Sequence, residues 1–286
     1  MGSGFHTSTP GFRRRVLFDR LARVVTAAAA VLVIAVLVVV LGYMLYKGIG
    51  AVDVAFFTED PKPVGEPGGG IRNAIVGSAM MLGLAVAISL PVGILAAIYL
   101  SEFGSGWYAR LIRFLADVLA GIPSIVVGIF AYTLVVLPMR GFSGWAGGVG
   151  LAIIMLPIVV RTTEEMLRLV PQSLRDGGLA LGAPKWRVTV DIVLSSSLSG
   201  IATGVLLAVA RAAGETAPLL FTALGSRFLV TDLGRPMASL PVQIYTYAIS
   251  PYEDWHEKAW AAAFTLVALI LALNVAVRYL TRSKHA

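Results

Sequence analysis

The stretch whose residue types and spacing could do chemistry is Arg211-Ala212-Ala213-Gly214-Glu215-Thr216. It lies inside an apolar run, which would place a guanidinium and a carboxylate at membrane depth. A central arginine there costs roughly 2.5 to 3.5 kcal/mol and nearly always faces a partner or a water-filled cavity. On a continuous helix the i, i+4 spacing puts Arg211 and Glu215 on one face, where they can pair. That pairing alone is the plainer reading. The functional one is that a guanidinium offers a planar fork of donors matched to phosphate or carboxylate oxygens. Glu215 would then orient Arg211 or accept a hydrogen bond from a protonated oxyanion. Pro218 should loosen the helix just beyond, and the Thr216 hydroxyl could cap the backbone it frees. Arg211, Glu215 and Thr216 are therefore the candidate substrate-pathway residues.

A second stretch, 171–197, is polar and patterned. Leu179, Leu181, Val188, Val190, Ile192 and Leu194 alternate with Arg175, Asp176, Lys185, Arg187 and Asp191. This predicts short amphipathic helices broken at Gly182-Ala183-Pro184. A helix of that kind, too short to span, lies on the membrane or docks in a partner's groove.

These two stretches must be positioned by the rest of the chain, which is 57% hydrophobic and 14% charged over 286 residues, with mean hydropathy +0.83. That is too apolar for a soluble domain of this length and predicts an all-α integral membrane protein. The formal charge of +7 reflects basic residues to be placed against lipid headgroups, and nucleic acid is not an expected partner. There are no cysteines, and the three histidines are far apart in sequence, so no metal site is expected.

In chain order, residues 1–23 read as a basic tail carrying Arg13, Arg14, Arg15, Arg20 and Arg23, and residues 24–46 as a first span without a charge. At 1.5 Å per residue that span is long enough for a hydrocarbon core of roughly 30 Å. Residues 47–70, rich in Pro and Gly, form a loop. Further spans are expected at 71–100, with Pro91 kinking it, and at 111–137, with a break at Gly121-Ile122-Pro123-Ser124. After a Gly-rich turn at 138–148 the fourth span is 149–160, extending toward Val170 with its charged end in water. The fifth is 198–220 and, after a polar loop at 222–258, the sixth is 259–280. Asp117 reads as a headgroup-level or capping carboxylate, and Gly200 with Gly204 as close helix packing. Most of the 23 Lys and Arg fall in the tail, the loops after spans two and four, and the C-terminus, so both termini are expected in the cytoplasm.

The 171–197 stretch carries a resemblance. It is similar to the cytoplasmic coupling loop of ABC importer permeases, patterned Glu-Ala-Ala, three residues, Gly, nine residues, Ile-x-Leu-Pro. Here Asp176-Gly177-Gly178 is followed after three residues by Gly182 and after nine more by Ile192-Val193-Leu194-Ser195. Spacing matches throughout, while Asp stands for Glu, two Gly for two Ala, and Ser195 for Pro. The run from Arg211 to Ala223, Gly121-Ile122-Pro123-Ser124-Ile125-Val126 with Gly128, Leu240-Pro241-Val242-Gln243-Ile244-Tyr245 and Ala259-Trp260-Ala261-Ala262 resemble the phosphate-specific permeases of the PstA type. The resemblance spans residues 71–280 and implies the type I importer fold in the cytoplasmic (inner) membrane. It implies that Asp176, Gly177, Gly178, Leu181 and Gly182 couple to an ATPase. It also implies a second permease chain (PstC type), two nucleotide-binding subunits (PstB type) and an extracytoplasmic phosphate-binding protein (PstS type). No cofactor is expected on this chain, because ATP belongs to the partner subunits and the sequence has no Gly-Lys pair for a phosphate-cradling loop. The rivals are a permease for sulfate or molybdate and, in another class, an ATPase-independent secondary transporter, which predicts internal repeats and no docking loop.

Overall fold

The computed structural model describes residues 10–63, 66 and 68–282 of the chain. Among these every regular element is helical. The chain divides into two units, residues 1–47 and 48–286. The first consists of helix α1, Pro10–Gly48, whose apolar stretch is unbroken by charge for more than a bilayer's thickness. Residues 10–23 of the expected basic tail are already helical, because no Pro, Gly or cap signal separates them from the apolar run. Residues 1–9 lie outside the described residues.

The second unit contains four long helices among its described residues. Short α2 (Val54–Thr58) is capped by Asp53, whose carboxylate accepts from the Phe56 amide at 2.7 Å. Helix α3 (Arg72–Phe103) runs without interruption through Pro91 and closes in a widened, π-type turn at Tyr99–Phe103. Helices α4 (Gly106–Gly121) and α5 (Ser124–Met139) are one apolar stretch bent by 105° at the expected break. Pro123 supplies no N–H and excludes the helical conformation at Ile122, which is extended. Among the described residues five helices are long and apolar enough to cross a membrane, or six if the bent pair is one span.

Helix α6 (Gly144–Arg168) begins earlier than its composition suggests. Ser143 accepts from the Ala146 amide at 3.2 Å and caps a glycine-rich first turn that is helical and buried. Helix α7 (Gln172–Ala180) and the turn after it lead into α8 (Lys185–Ala213), which starts thirteen residues before the expected fifth span. Most of what reads as loop after Pro184 is thus the base of a long helix, carrying a π-type segment at Val188–Leu194. Helix α9 (Ala217–Thr222) is short, and the polar region after it holds another short helix, α10 (Leu240–Ala248), with Leu240, Pro241, Val242 and Tyr247 buried. Helix α11 (Glu253–Arg282) ends the described chain.

Helices α3, α6, α8 and α9 share the main core, formed by Met81, Ala85, Met155, Val159, Ala208 and Leu219 with their neighbours. In a bilayer such packing rests on close approach more than on exclusion of water. Gly200 and Gly204 supply it: a Cβ at Gly204 would lie 2.6 Å from the Thr162 Cβ, and one at Gly200 would strike the Met166 sulfur.

Candidate functional site

Arg211 occupies the last turn of α8, and Glu215 lies beyond its end, in a three-residue break. Gly214 closes the helix with its amide on the Arg211 carbonyl at 3.2 Å, and the Glu215 amide reaches the Ala212 carbonyl at 3.2 Å. The two charges are brought together, but by a helix terminus and not by a continuous helix face. Their nearest atoms, Arg211 Nε and Glu215 Oε1, are 3.9 Å apart. This is a loose ion pair, longer than a hydrogen bond. The Arg211 side chain is 49% exposed and that of Glu215 16%, so the guanidinium keeps most of its donors open.

Ala212, the residue after Arg211, lines a cavity together with Leu151 of α6 and Leu219 of α9. Thr216 does not cap with its side chain; its contribution is the carbonyl that accepts from the Leu220 amide at 3.1 Å. Pro218 falls in the first turn of α9, where a missing N–H costs nothing, so it starts a new helix and does not loosen an old one. A Cβ at Gly128 would come within 2.8 Å of the Pro218 Cα. The break in the α8–α9 path therefore sits against α5, which follows the 105° bend. The Thr222 carbonyl accepts from the Ser143 amide at 3.0 Å, tying α9 to the start of α6.

The second candidate region is α7 and its turn. Gly182 has φ +83°, its amide reaches the Leu179 carbonyl at 2.9 Å, and the Ala183 amide reaches the Gly178 carbonyl at 3.2 Å. These two bonds form a Schellman closure, which requires a left-handed residue and explains the glycine at this place in the spacing. The two preceding glycines differ. A Cβ on Gly178 would meet Ile192 Cδ1 at 2.7 Å and Val188 Cγ2 at 2.9 Å, whereas one on Gly177 would meet nothing within 4 Å. Gly178 thus seats α7 on the base of α8, and Gly177 faces outward with Asp176 and with Leu181, which is 89% exposed. Asp176 accepts from Gln172 Nε2 at 3.0 Å. An exposed leucine and an exposed carboxylate thus sit on a short, anchored helix.

What anchors that helix was not among the sequence candidates. Arg175 donates to Glu102 Oε1 at 2.8 Å, to the Leu167 carbonyl at 2.8 Å and to the Val170 carbonyl. It thereby joins α7 to the end of α3 and satisfies carbonyls at the open C-terminus of α6. Glu164, placed in water by the sequence reading, is buried in α6. Its Oε1 receives Arg113 Nε and Arg168 Nη2, both at 2.7 Å, and Arg113 also donates to the Leu100 carbonyl at 2.7 Å. Asp117 is not a cap: it lies well along α4 and pairs with Arg161 at 2.7 Å. The available signal was the cluster of opposite charges at helix ends assigned to one side of the membrane. No group of three or more His, Asp or Glu able to hold a metal occurs among the described residues.

A bundle of membrane-length helices with one bent pair and an anchored, outward-facing short helix is the architecture of the permeases of type I ABC importers. Residues 89–285 match the family described as binding-protein-dependent transport system inner membrane component. The fold agrees. The MetNI methionine ABC transporter, solved in inward-facing conformations, superposes with TM-score 0.58 at 19% identity, over 74% of this chain and 94% of that one. An amino acid ABC transporter gives TM-score 0.55 at 16% identity, over 74% and 92%. In sequence, the phosphate transport system permease protein PstA of Yersinia pestis is 48% identical over 93% of this chain and 91% of its own length. The PstA of Haemophilus influenzae is 46% identical over 84% and 86%, and PstA 1 of Mycobacterium tuberculosis H37Rv is 42% identical over 73% and 68%. The chain belongs to the binding-protein-dependent transport system inner membrane component family, on its PstA-type branch.

Proposed function

We propose that this chain is the membrane-spanning permease subunit of an ATP-driven importer that carries inorganic phosphate into the cytoplasm. The observation that carries the reading is Arg211, a half-exposed guanidinium at a helix break whose one charged partner among the described residues is Glu215, 3.9 Å away. A cation left with open donors at that depth suits an anion that stops briefly and leaves. The relatives named phosphate transport permeases give the anion its identity.

The face formed by Asp176, Gly177 and Leu181 docks a nucleotide-binding subunit, and Gly178 and Gly182 shape it. Closure of two such subunits (PstB type) on ATP moves α7, and the Arg175 clamp passes the motion to the ends of α3 and α6. A second permease chain (PstC type) completes the pathway past Arg211, and an extracytoplasmic binding protein (PstS type) delivers phosphate. In this arrangement both termini and α7 face the cytoplasm, in keeping with the distribution of Lys and Arg.

The test is uptake of labelled phosphate by cells lacking their own importer, supplied with the partner subunits and either the native chain or Arg211→Gln at matched membrane levels. The native chain is expected to restore uptake and the variant to lose at least tenfold. Retained uptake by the variant would remove Arg211 from the pathway; entry of sulfate or molybdate in place of phosphate would overturn the substrate.

A further inference from the structure

A cavity of about 450 Å³ lies between α7, the base of α8 and the ends of α3 and α6, lined by Glu102, Arg168, Gln172, Arg175, Lys185 and Thr189 with three neighbours. The outward-facing Asp176, Gly177 and Leu181 take no part in it. Its charges do not balance: three cations face one carboxylate, and Glu102 is already matched by Arg175. Lys185 is placed by a contact that uses none of its donors, its ammonium lying 4.7 Å from the centre of the Phe103 ring. Arg168 is fixed by one amine on Glu164 and its side chain is 55% exposed, so its remaining donors stay open. The result is a solvent-connected pocket with preset N–H donors and a net positive lining, in which Arg175 is matched by Glu102, Arg168 shares Glu164 with Arg113, and Lys185 adds its charge.

We propose that this cavity is a binding site for a phosphate group, carried either by free inorganic phosphate or by the headgroup of an anionic lipid. Guanidinium and ammonium donors arranged around one space suit tetrahedral oxyanions. Because the lining comes from α3, α6, α7 and α8, a bound phosphate group ties the docking helix to the helices it moves, and its occupancy opposes that movement. The cytosolic source of the anion rests on the orientation given under the proposed function; the site itself does not.

The experiment is hydrogen exchange over residues 172–189 of the assembled permease–ATPase complex in nanodiscs, without nucleotide. Inorganic phosphate is titrated against chloride in neutral lipid, and neutral lipid is compared with phosphatidylglycerol. Protection by phosphate in neutral lipid, weakened at least tenfold in Lys185→Gln, supports the site with free phosphate as its ligand. Protection by phosphatidylglycerol alone, also lost in Lys185→Gln, supports it with lipid as the ligand. Repeating the titration in Arg211→Gln separates this site from the transport pathway, and protection should persist. Protection that vanishes in Arg211→Gln, ignores Lys185→Gln, or occurs with neither ligand overturns the proposal. Phosphate uptake is scored independently, so failure of the transport reading shows there and leaves this result standing.

Discussion

Gly177 and Gly178 are adjacent and identical, yet their surroundings give them opposite tolerances. Alanine at Gly177 enters open space and should firm α7 by up to about 1 kcal/mol through helix propensity. Valine at Gly178 pushes into Ile192 and Val188 and should cost about 1–3 kcal/mol by overpacking. Hydrogen exchange of the 172–182 amides is the measurement, with slower exchange expected for Gly177→Ala and faster for Gly178→Val. Arg175 is a polar case. Its side chain is 13% exposed and that of its partner Glu102 is 6%, so Arg175→Ala leaves that carboxylate only Ser101 and the more distant Lys185, at a cost of about 1–3 kcal/mol. Thermal unfolding of the complex should show that loss, and pairing Arg175→Met with Glu102→Met should recover part of it: no charge is then left unpaired, while the Leu167 and Val170 carbonyls still lose their donor.

At the level of elements, the close approach of α5 to α9 decides how the break is held. Gly128→Ala places a methyl against the Pro218 backbone, which cannot rotate away as a side chain would. The substitution should displace α9 and lower phosphate uptake several-fold at normal membrane levels, checked by the same uptake assay used for Arg211. The elements themselves were legible to different degrees. The Gly121–Pro123 break, the Gly182–Pro184 break and the long apolar runs all announce themselves, because Pro, Gly and hydropathy act locally. The start of α8 at Lys185 did not, since Lys185, Arg187 and Asp191 look like loop chemistry until Val188 and Val193 are seen buried against neighbours. The helical start of α6 was hidden for the same reason: its glycines signal a turn in sequence but serve close packing in three dimensions. The Arg211–Glu215 pair was legible from spacing, yet its geometry was not, because only the break at Gly214 places Glu215 outside the helix. The Arg168–Glu164 pair has i, i+4 spacing and could have been read locally, whereas Arg175–Glu102 and Arg113–Glu164 join residues far apart in sequence and no local pattern encodes them.

For the molecule as a whole, orientation is open to direct measurement because the chain contains no cysteine. Ser173→Cys, on exposed α7, and Thr231→Cys, on the exposed segment between α9 and α10, should react with a membrane-impermeant maleimide from opposite sides. In intact cells stripped of any outer barrier, Thr231→Cys should label and Ser173→Cys should label only after lysis; the reverse pattern would invert the proposed topology. The half-exposed guanidinium of Arg211 carries a further consequence, for how long the chain survives. Alone in lipid, a charge at that depth carries a solvation penalty of a few kcal/mol that the loose Glu215 contact does not remove. A copy made in excess of its companions is therefore a misfit that the cell's membrane proteases can distinguish from an assembled one. Lifetime should follow stoichiometry, with unaccompanied copies cleared first.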